Sequence, residues 1–211
     1  MHSSDTPTLP PQAMPTSTTH LTWQENGHTC EDEWRSERGA PVPKRVVLAD
    51  DTLSADSAYR LACAGTGMLW RGDFQNARLL LQALARRCDA PKKVRRASKT
   101  KPEVRHTPQE NFHLHRQAQS QRARTLSMIL IQVNPDRQIS LRRAPDWREA
   151  MNEAWGPAGT TGCIVSLREL LGLVGAHEWH QKGMEIPALG SAPHNRIHPS
   201  YGVFSPVRGE Y

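Results

Sequence analysis

Apolar and polar positions change period several times along the chain, and each change predicts an element. From Ser54 onward, Ala55, Ala58, Tyr59, Ala62 and Cys63 recur at helical spacing. Asp51 or Ser54 is placed to cap this helix by accepting a backbone N–H, and Gly65 and Gly67 weaken its end. After Gly72-Asp73 a second stripe runs through Phe74, Ala77, Leu80, Leu81 and Leu84. Asp73 is its expected N-cap, and Arg86-Arg87 complement the helix dipole at its far end. Order is expected to begin at KRVVLADD, and two short amphipathic helices joined by a tight turn predict a helical hairpin. A polar helical stretch covers roughly 111 to 125.

The period then shortens to that of a strand. MILIQV, Met128 to Val133, meets the turn Asn134-Pro135-Asp136-Arg137, and QISLRR returns from Gln138, which predicts a β-hairpin. Pro145 opens a helix with Asp146 near its start and Ala150, Met151, Ala154 and Trp155 along it; Gly156-Pro157 stops it. A last helix, Ser166 to about Gln181, carries Leu167, Leu170, Leu171 and Val174. Ser166 with Glu169 three residues on spells a capping box. No internal repeat is evident.

Residues 1 to about 42 have no hydrophobic periodicity and are rich in Ser, Thr and Pro, the composition of an unfolded segment. Trp23 and Trp34 stand there among Glu25, Glu31, Asp32 and Glu33; a docking motif is the less favoured reading of them. The 37% hydrophobic fraction and sixteen prolines fit a chain of which about two thirds folds. The expected architecture is α+β: a mainly helical accessory domain with a β-hairpin, behind a long disordered N-terminus. Its divisions are a disordered tail (1–45), a helical hairpin (46–90), a basic flexible linker (91–110), a helix, β-hairpin and helix (111–158), and a final helix with a lead-in segment (159–211).

The net charge of +6 changes this picture only locally. Between Arg86 and Arg105 nine Lys/Arg face two acids, so that block's +7 exceeds the surplus of the whole chain. Such a cluster can contact phosphates by releasing counterions, but it has no aromatic residues for stacking on bases. A solvated linker is the preferred reading, and nonspecific RNA contact stays open. Cys30, Cys63, Cys88 and Cys163 stand 25 or more residues apart with no C-x-x-C pair, which fits free thiols in a reducing compartment, Cys63 in a core. No signal peptide and no membrane span are legible, and the expected location is the cytoplasm.

Candidate chemistry is sparse. Ala64-Gly65-Thr66-Gly67 matches a glycine-rich cofactor loop in letters, but it follows an alanine-rich helical pattern and reads as a weakened helix end. His177-Glu178-x-His180 is one residue short of a zinc-protease motif and has no third ligand, and His113-x-His115 straddles two helix faces, so no metal site is expected. No Walker loop, G-x-S-x-G or paired-carboxylate constellation occurs.

At WRGDFQNARLLLQAL (Trp70 to Leu84), LRRAPDWREAMNEAWGP (Leu141 to Pro157), KGMEIPALG and HPSYGVFSPVRGEY, the chain resembles a bacterial family of class I S-adenosylmethionine-dependent methyltransferases, within the small-methyltransferase group. That resemblance implies that Tyr201, Gly202, Val203, Phe204, Ser205 and Arg208 lie beside a cofactor pocket and shape it. It also implies that the cofactor loop and the amine-binding motif follow Tyr211. The expectation is therefore the N-terminal, substrate-side portion of such an enzyme, cut before its catalytic domain. No residue here is assigned a catalytic role, S-adenosylmethionine is not expected to bind this chain alone, and the methyl acceptor is open. The alternative is a non-enzymatic basic adaptor that contacts RNA through Arg86 to Arg105.

Overall fold

Asn26 and Gly27 both take positive φ (52° and 80°) and reverse the chain in two residues. A right-handed strand twist favours such a turn, and Asn-Gly supplies it at little steric cost. It joins β1 (His20–Glu25) to β2 (His28–Arg35) as an antiparallel hairpin. The chain continues through β3 (Arg45–Ala49), α1 (Ala55–Cys63), β4 (Thr66–Trp70) and α2 (Phe74–Asp89). It resumes with α3 (Pro108–Leu126), β5 (Ile129–Val133), α4 (Arg148–Trp155), β6 (Cys163–Ser166) and α5 (Leu167–Lys182). A small hairpin of β7 (Met184–Glu185) and β8 (Arg196–Ile197) comes last. The computed structural model describes residues 19–90 and 107–202.

Six strands form one mixed sheet in the order β1-β2-β6-β5-β4-β3. β3, β4 and β5 are mutually parallel, β6 is antiparallel to β5, and β2 is parallel to β6. β1, β3, β4 and β5 therefore point one way, and β2 and β6 the other. β1 comes against β3 across the sheet, so the sheet curls into a near-barrel.

Side chains alternate across a strand, and here the alternation sorts two cores. Leu21, Trp23, Leu69, Leu130 and Ile164 fill the inside of the curl, with Trp34, Val42 and Val46 packed on them. Met68, Trp70, Ile129, Ile131, Cys163 and Val165 face outward onto Ala58, Phe74, Leu84, Met151, Leu167 and Leu170 of the helices. Each large apolar side chain so buried contributes about 1.5–3 kcal/mol.

The architecture is thus not mainly helical: a six-stranded sheet organises five helices around it. β4 and β6 are short and buried at every residue, so each reads as a bare apolar run without alternation. The expected helical hairpin is really α1–β4–α2, with Gly65 (φ 77°) releasing the chain from α1 into β4. The expected β-hairpin after β5 does not form. Asn134 N–H donates to the Gln138 carbonyl at 2.8 Å, but β4 and β6 already occupy both edges of β5, and residues 138–147 leave as an irregular segment. Of the expected unfolded tail, residues 20–35 supply two strands; residues 1–18 lie outside the described residues.

Caps follow local chemistry. Ser54 caps α1 and Asp73 caps α2, each accepting a backbone N–H. α3 begins within the expected linker: Pro108 is its first residue behind a Thr107–Glu110 capping box, because that position needs no N–H partner. α4 starts at Arg148, not Pro145, with Asp146 accepting the Arg148 N–H. At α5 only half of the capping box exists. Ser166 accepts the Glu169 N–H, while the Glu169 carboxylate accepts from Ser36 Oγ at 2.9 Å and ties β2's exit to the helix. Cys63 is exposed, and Cys163 is the buried thiol. Among the described residues no helix is long and apolar enough to cross a membrane.

Candidate functional site at the strand ends

The carboxyl ends of β1, β3, β4 and β5 converge at one end of the curled sheet. The period of two sets what stands there. Trp23, Leu69 and Leu130 fill the interior, so the residues two further on, Glu25, Arg71 and Gln132, form the next layer outward on the same face. That layer is polar and closes into a chain of hydrogen bonds. Arg71 Nε and Nη2 donate to the two Glu25 oxygens at 2.8 and 2.6 Å, and Nη1 donates to Gln132 Oε1 at 2.9 Å. Gln132 Nε2 donates to Asp32 Oδ2 at 2.5 Å, and the Trp23 indole N–H donates to Glu25 at 2.9 Å.

This is bidentate, charge-assisted pairing over the end of an apolar core. The Arg71 guanidinium, and then the Trp23 indole, hold the Glu25 carboxyl down to about 2 against the opposing effect of burial. An open cleft of about 570 Å³ lies beyond it, lined by Glu25 and Arg71, by Asp50 and Thr52, and by Ser54 and Ser57 at the start of α1. The Thr52 hydroxyl and N–H both donate to Asp50 and lower its carboxyl.

A second cluster adjoins it. Asp73 is buried, and its carboxylate accepts from Arg142 Nε at 2.8 Å and Arg143 Nε at 2.6 Å while capping α2. Arg143 above all lowers the Asp73 carboxyl to about 2. Asp51 accepts from the Asp73 N–H and from Asn76 Nδ2, both at 3.0 Å. Gly72 is required between them: a Cβ there would lie 2.8 Å from the Asp51 backbone nitrogen.

Every carboxylate in the two clusters except Asp50 and Asp32 is engaged by a cation or caps a helix, and those of Glu25, Asp50 and Asp73 are lowered by their donors. The arrangement can present hydrogen-bond donors and acceptors and hold a ligand, with the lowered Glu25 and Asp73 carboxyls ionised near pH 7. Among the described residues no group of three or more His, Cys, Asp or Glu could hold a metal ion.

The residues singled out in the sequence go elsewhere. Of the six pocket-adjacent positions, Tyr201 and Gly202 are described; Val203, Phe204, Ser205 and Arg208 lie outside the described residues. Tyr201 packs against the outer core, and its phenol is pushed up by burial and by Glu37 and Glu169. Those two glutamates follow β2 and β6, so Tyr201 stands at the opposite end of the sheet from the cleft. Gly65 lies at the amino end of β4, with Thr66-Gly67 inside the strand; the first fits the expected helix end and the others do not.

His177 pairs through Nδ1 with Glu153 of α4. His180 Nδ1 bonds the Pro199 carbonyl at 3.2 Å. His113 and His115 are exposed on α3. Arg87 pairs with Asp56, while 91–106, the bulk of the basic block, lies outside the described residues. Trp23 and Trp34 belong to the inner core and are not an exposed motif.

Glu25, Arg71 and Gln132 escape a reading by motif, and Asp73 was legible only as a helix cap. The signals for them were Asn26-Gly27, which announces the hairpin carrying Glu25, and polar residues two places beyond strand apolars. No family model matches the chain, and no curated protein or solved structure matches it significantly.

Proposed function

We propose that the described unit is a non-catalytic accessory module on the substrate side of an S-adenosylmethionine-dependent methyltransferase, acting in the cytoplasm. One observation carries this reading. The segment that resembles the approach to the methyltransferase cofactor pocket is clamped to α5. His198 Nδ1 bonds the His180 carbonyl at 2.7 Å, His180 Nδ1 bonds the Pro199 carbonyl, and Arg196 donates to the Lys182 carbonyl at 3.0 Å. A rigid mount of this kind fixes Tyr201-Gly202 relative to the sheet, as a module must if it is to position a catalytic domain.

The glycine pair expected of a cofactor loop lies at the wrong end of β4, and the interior of the curl is filled with side chains. Both features support a role other than cofactor binding. The test is calorimetric titration of S-adenosylmethionine into the 211-residue chain. No saturable heat is expected, and micromolar affinity would remove the non-catalytic assignment. Adjoining coding sequence for a strand followed by Gly-x-Gly is the expected companion finding, and its absence would remove the methyltransferase link.

A second reading, an adaptor that contacts RNA, is favoured by α3. Its first fourteen residues are exposed, including Phe112 beside Arg116, and it follows the basic block in sequence. A salt-titrated RNA-binding assay separates the two, since an adaptor loses affinity when the Lys/Arg block is neutralised.

A further inference from the structure

The period of two puts Val46, Leu48 and then Asp50 on one face of β3 and its exit. Val46 packs on the inner core. Leu48 stands opposite Leu69 of β4 in register, yet Leu69 is fully buried and Leu48 is 41% exposed. β3 is the last strand of the sheet and is bonded to β4 on one side. At that edge a large apolar side chain is left uncovered in the wall of the cleft of about 570 Å³, which Ala49 and Leu53 also line.

Asp50 brings charge to the same wall. The Thr52 hydroxyl and N–H both donate to Asp50 Oδ1, at 2.6 and 2.9 Å, and the Leu53 N–H donates to the Asp50 carbonyl at 3.1 Å. This turn holds the carboxylate in place and lowers it below the usual carboxylate range, so it is ionised at neutral pH. Among the described residues no hydrogen bond reaches Oδ2, and no cation pairs with Asp50.

The other charges lining the cleft cancel, because Arg71 donates through Nε and Nη2 to both Glu25 oxygens. The lining side chains therefore keep a single negative charge, that of Asp50. The start of α1 also borders the cleft, and its positive end is answered by the Ser54 cap and by Asp56 in the first turn.

We infer that this cleft is a binding site for a small organic cation, a primary ammonium or guanidinium group on a short apolar body. The cation donates to Asp50 Oδ2, and the apolar body covers Leu48 and Leu53. Two residues of extended chain separate Leu48 from Asp50, about 6–7 Å, which a four-carbon chain spans. An anion is opposed by Asp50, since the guanidinium in the cleft, Arg71, is already held by a carboxylate. The inference stands on the cleft alone and does not depend on the methyltransferase reading.

The test uses the full chain, labelled with ¹⁵N and read at the assigned backbone amides of Thr52 and Leu53. Butylammonium chloride, butylguanidinium chloride, butanol and sodium butyrate are titrated separately at ionic strength held constant with sodium chloride. Saturable shifts are expected with at least one of the two cations. Butanol has the same chain without charge and butyrate carries the opposite charge, and neither is expected to saturate. Asp50→Asn keeps an oxygen to accept from Thr52 but removes the charge, and it is expected to abolish the saturation. Response to butylammonium alone assigns an amine ligand, and response to butylguanidinium alone a guanidine. No saturation with either cation, or saturation that butanol or butyrate reproduces or Asp50→Asn retains, overturns the proposal. Should Asp50→Asn fail to fold, the unfolding temperature of the unaltered protein decides. It must rise with the logarithm of the effective cation's concentration, beyond the butanol and sodium chloride controls, and a flat or falling response overturns the site.

Discussion

Arg71 and Arg137 both follow the carboxyl end of a central strand, one after β4 and the other after β5, yet their surroundings are opposite. Arg71 has both Glu25 oxygens and the Gln132 carbonyl oxygen as acceptors and lies 5.9 Å from the Trp23 ring centre. Arg137 is more deeply buried, meets the Trp155 ring at a similar distance, and has one backbone carbonyl. The first guanidinium closes the polar layer over the inner core. The second contributes little to the fold that an apolar side chain of its shape could not. A cation that the fold uses is surrounded by acceptors supplied by the chain; one that the fold only tolerates is left with few.

The largest effect that could break this contrast is on stability. Arg71→Met leaves Glu25, Gln132 and the Trp23 layer without their cation and is expected to cost about 2–3 kcal/mol, read from the urea midpoint. Arg137→Met removes an unpaired buried charge and is expected to be neutral or stabilising by up to about 1 kcal/mol. Equal losses for the two variants would mean that Arg137 is a structural residue after all.

Gly72→Ala perturbs only the Arg71 side. Its Cβ would crowd the Asp51 backbone, and a loss of about 1–3 kcal/mol is expected, with the Trp155 indole resonance unmoved.

Acid unfolding sharpens the comparison further. Glu25 is held at about 2, below its unfolded value of 4.5. Its contribution is therefore complete above about pH 4.5 and is lost as pH falls toward 2. Arg71→Met should flatten that limb of the stability-versus-pH curve, and Arg137→Met should leave it unchanged. The smallest effect concerns Cys163, whose buried thiol is pushed up to about 11 although Arg35 and Arg137 pull it down. Arg137→Met should leave Cys163 unreactive toward iodoacetamide while exposed Cys63 alkylates, as mass spectrometry of the modified peptides would show. Faster modification of Cys163 in the variant would mean that Arg137 seals the core.

α1, α2 and α5 were legible because each carries a stripe and a cap. Ser54, Asp73 and the Phe74–Leu84 stripe predict α1 and α2 nearly to the residue. The sheet was legible only at MILIQV. TGMLW and CIVS are each covered on both sides, so no alternation marks them, and they hide beside stronger helical signals. The Ser/Thr/Pro-rich composition ahead of residue 43 drew β1 and β2 into an unfolded reading, although Asn26-Gly27 announced their turn. The candidate site was invisible for a further reason. Glu25, Arg71 and Gln132 are 46 and 61 residues from one another in sequence, and no spacing rule links them.

Local order was the sequence's own contribution: where helices begin and end, which faces are apolar, and that the basic charge is one block. These follow from interactions spanning three or four residues, which period and caps report directly. Tertiary structure alone decided that the sheet curls, that the polar residues ending three of its strands meet in one layer, and that Arg71 is paired while Arg137 is not. Whether a buried charge finds a partner depends on which distant strands become neighbours, and pairing of strands is a non-local choice that no short window of sequence contains.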